Sequence, residues 1–244
     1  MKTFVLTLCL IIFPTTCVKL PPNFIKCNRH EPKFEECLPK AANHDIAQMY
    51  KPHKKIRLPG VEPLELLSMS SNVDTNLIKL TERLKNCQFH GVSKGRFRTF
   101  VFDFQRRVIS ANANFPFVES SCDYKLNGTI LGVALKGEGP SWLDFTNFNM
   151  SIYITYDEVV KNNKTYMKLT TCKVDGKPEN LRFRIDNLFD GDEEAGRRMN
   201  EIVNENWSVL YDDIKNEYLD IPGQMLATIL TGFFSRVSLE EMFD

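Results

Sequence analysis

Metal-ligand and nucleophile patterns are what this chain lacks. Its 244 residues hold four histidines, His30, His44, His53 and His90. None has a metal-ligand partner at close spacing, and no C-x-x-C occurs. Asp190-Gly191-Asp192-Glu193-Glu194 has the acidity of a calcium loop without the EF-hand spacing, and it reads as the acidic start of a helix. No G-x-S-x-G elbow is present. Gly137-Glu138-Gly139 is a fragment of a nucleotide loop, but strand-like segments flank it and no helix follows, so a hairpin turn is expected. Cys87 and His90 lie three residues apart on a strand-like segment and would face opposite sides, which excludes a nucleophile–base pair. The sequence therefore implies no metal, no cofactor and no enzyme.

Charge of one sign is also missing. Lys plus Arg equals Asp plus Glu at 31 each, so there is no basic footprint for nucleic acid. Linkers, low-complexity tracts and short repeats are absent, which predicts one domain. The one strongly apolar run, Phe4 to Phe13, is too short to span a bilayer, so no stable membrane insertion is expected. With Lys2 before it and Pro14-Thr15-Thr16-Cys17 after it, residues 1–17 read as a secretory signal peptide, and 18–244 as the mature secreted chain. Sequons at Asn127, Asn149 and Asn163 suit a secreted glycoprotein; a fourth, at Asn206, sits beside Trp207 on a helical stripe and is expected to be inaccessible. Signal removal leaves five cysteines, with Cys27 and Cys37 the best-supported pair. Among Cys87, Cys122 and Cys172 the sequence does not choose.

What is abundant is apolar periodicity. Met199, Val203, Trp207, Leu210, Ile214, Tyr218, Ile221, Met225, Ile229, Phe233 and Val237 recur every three or four residues, one face of a helix about 70 Å long if unbroken. Asn204, Glu205, Asp212, Asp213, Asn216 and Asp220 form its expected far side. From Ile221 to Ser235 no charge occurs, which predicts burial all round, and Pro222-Gly223 should kink or interrupt the helix. Residues 35–51 have weaker helical spacing, and 58–64 read as a proline-marked connector. Between about 76 and 186 the period changes. Strands are expected near 77–92, 96–110, 113–126, 129–136, 141–160, 165–174 and 180–186, joined as an antiparallel meander. The implied class is α+β, a curved antiparallel sheet around a long C-terminal helix.

Eighteen phenylalanines are many for this length, and a solid core and an elongated apolar cavity are both open readings of them. Strand parity makes Phe100, Phe102, Ile152, Ile154, Tyr156, Leu181 and Phe183 its candidate wall, and the helix stripe adds Leu210, Ile214 and Met225.

The chain resembles the insect takeout and haemolymph juvenile-hormone-binding family along essentially all of its mature length. Leu20-Pro21-Pro22-Asn23-Phe24-Ile25-Lys26-Cys27 with Cys37-Leu38 resembles the family's opening cysteine pair. Phe115-Pro116, Asp123-Tyr124, Gly128, Ile130-Leu131 and Gly137-Glu138-Gly139 resemble its strand pattern. The most recognisable stretches are Asp186-Asn187-Leu188-Phe189-Asp190-Gly191-Asp192 and Asn204-Glu205-Asn206-Trp207. The resemblance implies a TULIP-like fold with a hydrophobic tunnel, the helix at residues 35–51 near its mouth, and a secreted carrier of a small hydrophobic molecule, terpenoid or fatty-acid-like. It also marks departures. Cys122 stands where the family has glycine, and Cys87 where it has an aliphatic residue. No cysteine follows Cys172, so a bridge to the C-terminal helix is excluded and the takeout branch is favoured. The tyrosine that hormone carriers offer from the strand at 148–157 falls at Ile154, with Tyr156 on the same face. The alternative is an extracellular signalling protein that binds a protein partner around a solid core.

Overall fold

The computed structural model describes residues 18–244. The expected signal peptide at 1–17 lies outside the described residues. Two very long strands organise the rest. Strand β4 (Val108–Ile130, 23 residues) pairs along its whole length with strand β5 (Val133–Lys161, 29 residues) through the hairpin at Leu131-Gly132. Straight, β5 would run about 95 Å, so it must bend to stay within a domain. The bend is visible as a change of face. Ile109, Ala111, Ala113 and Phe115 are buried at odd positions, but Val118, Ser120, Tyr124 and Leu126 are buried at even ones. The opposite strand changes at the same level, where Asn147 adopts a positive φ of 46°.

The other strands flank the two halves of this spine. Strand β2 (Ile78–His90) pairs with the second half of β4, and β1 (Leu64–Asp74) pairs with β2. Strand β3 (Arg96–Asp103) pairs with the first half of β4. Strand β6 (Lys164–Lys177) pairs with the second half of β5, and β7 (Asn180–Ile185) with the first half. Every pairing is antiparallel, and the sheet is a curled half-barrel. Helix α1 (Phe34–Gln48) packs on β3; α2 (Glu193–Glu205) on β7; α3 (Trp207–Phe234) chiefly on β6; and α4 (Leu239–Phe243) also on β6.

Several expectations need correction. Strand β1 begins at Leu64, the last residue of the expected connector, and runs through residues for which no element was expected. It is an edge strand, its composition is half polar, and Leu67 is 81% exposed, so no clean alternation announced it. The long helix is interrupted at Asn206, and not at Pro222-Gly223, through which α3 continues. The proline removes one backbone bond, but Gly223 is buried against Cys172 and Val174 of β6, and this packing holds the turn. The charge-free half of α3 is not buried all round, because Gln224, Thr228 and Thr231 supply an uncharged solvent face. The sheet therefore seals one side of the helix and does not surround it.

Gly137-Glu138-Gly139 is strand, not turn. The chain segment Asp186–Leu188 lies across it, with Leu188 bridged to Gly137 and the Tyr124 hydroxyl donating to the Asp186 carbonyl at 2.6 Å. A Cβ at Gly137 would fall 2.6 Å from the Asn187 carbonyl oxygen and 2.7 Å from the Tyr124 hydroxyl. The two glycine-bearing and Asp186-to-Asp192 motifs are thus one packing unit. Asn204 and Asp213 also leave their expected solvent face. Asn204 exchanges two hydrogen bonds with the Phe183 backbone, at 2.7 and 2.8 Å, and Asn200 does the same with Ile185, at 2.9 and 2.8 Å. Two residues one helical turn apart thus saturate alternate residues of edge strand β7. Asp213 accepts from the Thr75 hydroxyl and, at 3.0 Å, from the Leu77 N–H, tying α3 to the β1–β2 turn.

Two disulfides are formed among the described residues. Cys27–Cys37 ties the N-terminal segment to α1, and Cys87–Cys122 joins β2 to β4 on the concave face, with Cα atoms 4.2 Å apart. The two cysteines that depart from the family pattern pair with each other, and Cys172 is free.

Gly137→Ala is expected to destabilise the fold by about 2–4 kcal/mol, because backbone cannot yield to the new methyl. Urea denaturation followed by circular dichroism measures it; a loss under about 0.5 kcal/mol would mean that the Asp186–Leu188 segment docks elsewhere.

Candidate ligand-binding site

The interior is three apolar clusters strung along α3. The first gathers Phe102, Ile109, Ile154, Tyr156, Phe234 and Phe243 with α1 residues Leu38 and Ala41. The second gathers Leu80, Leu126, Leu188, Met199, Val203 and Leu210. The third lies at the level of the sheet bend and holds Ala113, Phe115, Val118, Phe148 and Leu219. From Leu210 to Phe234 the helix advances about 36 Å, so the first two clusters are well separated.

The expected wall residues divide accordingly. Phe100, Phe102, Ile152, Ile154 and Tyr156 belong to or pack on the first cluster. Phe183, Leu210 and Ile214 belong to or pack on the second. Leu181, on β7, and Met225, on α3, fall in neither. Phe102, Ile154, Tyr156, Leu181 and Leu210 are buried, whereas Phe100, Ile152, Phe183, Ile214 and Met225 keep accessible surface. Asn127, Asn149 and Asn163 are all exposed. So is Asn206, contrary to expectation: the chain breaks its helix there, and the side chain turns back to donate to the Ile202 carbonyl at 2.8 Å.

One end of the half-barrel is closed by aromatic rings. Phe243 of α4 packs on Phe34, Phe102 and Phe104 with ring centroids 5.6, 4.8 and 5.4 Å away. Arg29 holds the C-terminal residue in place through Asp244 at 2.7 Å. Tyr156 lies against this group, 5.7 Å from Phe102, and its buried hydroxyl has no hydrogen-bond partner among the described residues. Burial pushes that hydroxyl's pKa up to about 12.

Toward the second cluster the wall contains polar groups that sequence reading passed over. Glu82 of β2 faces inward, and its Oε2 accepts from the Tyr218 hydroxyl at 2.6 Å and the Ser71 hydroxyl at 3.4 Å. Burial raises the Glu82 carboxyl above its ordinary 4.5, against the opposing effect of those two hydrogen bonds. Burial, then the neighbouring Glu82 charge, raises Tyr218 well above 10. Protein surrounds both groups on almost every side, yet each keeps accessible surface, as side chains bordering an internal space do. The only sequence signal was parity: Glu82 alternates with Leu80 and Leu84 on an otherwise apolar face. Two outer clefts, of about 320 and 360 Å³, flank the Asp186–Asp192 segment, and none but Asn127 of the expected site residues lines them. Among the described residues, no cluster of three or more His, Cys, Asp or Glu could hold a metal.

The whole arrangement has counterparts. The sequence profile of the haemolymph juvenile hormone binding protein family matches residues 4–244. The chain belongs to that family. It is similar to the circadian clock-controlled protein daywake of Drosophila melanogaster, with 21% identity over 77% of this chain and 75% of the relative. The Drosophila yakuba daywake protein is 20% identical over 91% of this chain and 88% of its own. The crystal structure of Epiphyas postvittana Takeout 1 superposes with a TM-score of 0.78 at 17% identity, over 90% of this chain and 99% of that one. The fold is therefore the takeout fold, TULIP-like, with its half-barrel and long C-terminal helix.

Two outcomes follow. Tyr156→Phe removes an unpaired buried hydroxyl and is expected to raise unfolding free energy by about 1–3 kcal/mol in ligand-free protein, measured by urea denaturation. Glu82 has a folded pKa above its unfolded one, so its ionisation penalises folding: the penalty is absent below about pH 4.5, grows as pH rises toward the folded value and is constant above it. Glu82→Gln is expected to raise the melting temperature at neutral pH, with the gain shrinking toward pH 4.5. A gain that does not change with pH would show that the carboxyl is not the cause.

Proposed function

We propose that this protein is a secreted carrier that holds a small lipophilic molecule, terpenoid or fatty-acid-like in its apolar part, between α3 and the concave sheet face. The observation that carries this reading is the state of the inner wall. Phe100, Ile152, Phe183 and Ile214 pack against the apolar clusters and still keep accessible surface, as they would along a lumen. Apolar wall of this kind is stabilised by about 25 cal/mol for each Å² that a ligand covers. Membership of a family whose name states hormone binding, and three apolar clusters in place of one continuous core, support the same reading. The aromatic closure around Phe243 fills the end where α1 lies, so we place exchange at the other end, contrary to the mouth beside residues 35–51 that the resemblance implies. The signal peptide, both disulfides and the exposed sequons Asn127, Asn149 and Asn163 support an extracellular protein. No helix among the described residues is long and apolar enough to cross a membrane. The reaction chemistry missing from the sequence supports a binding role over an enzymatic one.

Purified secreted protein is expected to bind a neutral naphthylamine dye saturably, near one to one, and to release it to long-chain lipids. Ile214→Trp, which fills the space beside α3, is expected to lower dye affinity about ten-fold with the melting temperature retained. Absence of saturable binding to any lipid or dye would overturn the carrier reading.

A further inference from the structure

The inner wall is not uniformly apolar. Midway along β2, Glu82 sits between Leu80 and Leu84, opposite Ser71 of β1 and Leu126 of β4. Across from it on α3 stand Tyr218 and, one turn earlier, Ile214. A leucine at position 82 would complete this surface. Exchanging a buried carboxyl and its hydrogen-bond partner for apolar groups is close to neutral or stabilising in stability terms. Packing therefore gives no reason for an acid here.

The carboxyl is also only half satisfied. Oε2 receives both hydroxyls, from Tyr218 at 2.6 Å and from Ser71 at 3.4 Å. Among the described residues, Oε1 receives no hydrogen bond, and Glu82 has no basic partner. Glu82, Ser71 and Tyr218 each retain accessible surface although the site is enclosed. An acceptor thus borders the interior space, held in one orientation by two hydroxyls on its other oxygen.

We propose that Glu82, positioned by Tyr218 and Ser71, is a polar anchor in the lumen for the hydroxyl group of an otherwise apolar ligand, a long-chain or terpenoid alcohol. The inference rests on the carrier reading and narrows it. An alcohol donates its one proton to Oε1, needs no countercharge and leaves its chain on the apolar wall. An ionised fatty acid brings a second negative charge to an enclosed carboxyl, and repulsion at low dielectric is severe. An ether or ester offers acceptors only and leaves Oε1 unpaired. A cationic amine pairs with Glu82, but it loses its hydration at a site where the rest of the wall is hydrocarbon.

Competition against bound naphthylamine dye at neutral pH tests this with three probes of equal chain length: dodecanol, methyl dodecyl ether and dodecanoic acid. Dodecanol is expected to bind at least about ten-fold more tightly than the other two, the range for a hydrogen bond to a charged group. In Glu82→Leu/Tyr218→Phe, which removes both partners together, that preference should fall to about one. Should the double variant fail to fold, Tyr218→Phe alone is expected to reduce the preference about three-fold, because Glu82 then loses its strongest positioning contact. Dye bound by the wild type with the three probes equal, or with the acid tightest, overturns the anchor and leaves the carrier reading standing. A preference that survives in the folded double variant assigns the hydroxyl to other residues and also overturns it. Failure of the wild type to bind dye or any probe overturns the carrier reading and the anchor with it.

Discussion

A helix of 28 residues has to cover the concave face of a sheet whose central strands are 23 and 29 residues long. The helix is about 42 Å long and about 10 Å across. The spine it faces is far longer than that before bending, and the curled sheet is much wider than one helix. Chain length then sets how the remaining surface is used. Part is covered at one end by α1 and α4 and part at the other by α2, with the third cluster at the level between them. A division into three clusters follows from this mismatch of area. So does the partial accessibility of Phe100 and Ile152, which pack on the first cluster without being fully covered by it.

A half-barrel also leaves edges, and helical asparagines cover them. Asn200 and Asn204 of α2 bond both backbone groups of Ile185 and Phe183. Asn43 of α1 does the same for Phe97 on β3, accepting at 2.7 Å and donating at 2.9 Å. Each amide acts as one residue of a further strand. This satisfies edge groups that would otherwise pair with another chain, and it fixes α1 and α2 to opposite halves of the sheet. The helices at the ends of the half-barrel are therefore set by polar contacts to the backbone, while α3 is set by burial against β6.

Sequence legibility followed the same division. The C-terminal stripe was readable because Met199, Val203 and Leu210 are buried on a helix at regular spacing. The change to strands was readable because alternation at Phe100, Phe102, Leu181 and Phe183 is local. Features that depend on what packs above a residue were not readable. Gly137-Glu138-Gly139 has turn composition, yet its glycines serve the passage of Asp186–Leu188 over a strand. Asn204 and Asp213 have the composition of a solvent face, yet they bond to β7 and to the β1–β2 turn. Asn206 ends a helix without a glycine or proline to mark it, and Pro222 does not end one because β6 supports that turn. The pairing of Cys87 with Cys122 needed the register of β2 on β4, which no spacing encodes. Glu82 was passed over because one acidic residue on an apolar face carries no periodic signal.

Two polar side chains inside the wall are incompletely satisfied, and access separates their meaning. The Tyr156 hydroxyl is sealed among Phe102 and its neighbours, with no partner and no accessible surface, so its cost is carried by the folded state whether or not a ligand is present. The Glu82 carboxyl is enclosed but reachable, and one of its oxygens is already fixed by Tyr218. A cost that a ligand can relieve adds to that ligand's affinity, whereas one that a ligand cannot reach lowers stability alone. Position 154, where the resemblance puts the hormone carriers' tyrosine, is isoleucine here, and Tyr156 on the same face is shut within the aromatic group around Phe102. The Glu82–Tyr218 pair stands toward the other end of α3, between β2 and the helix.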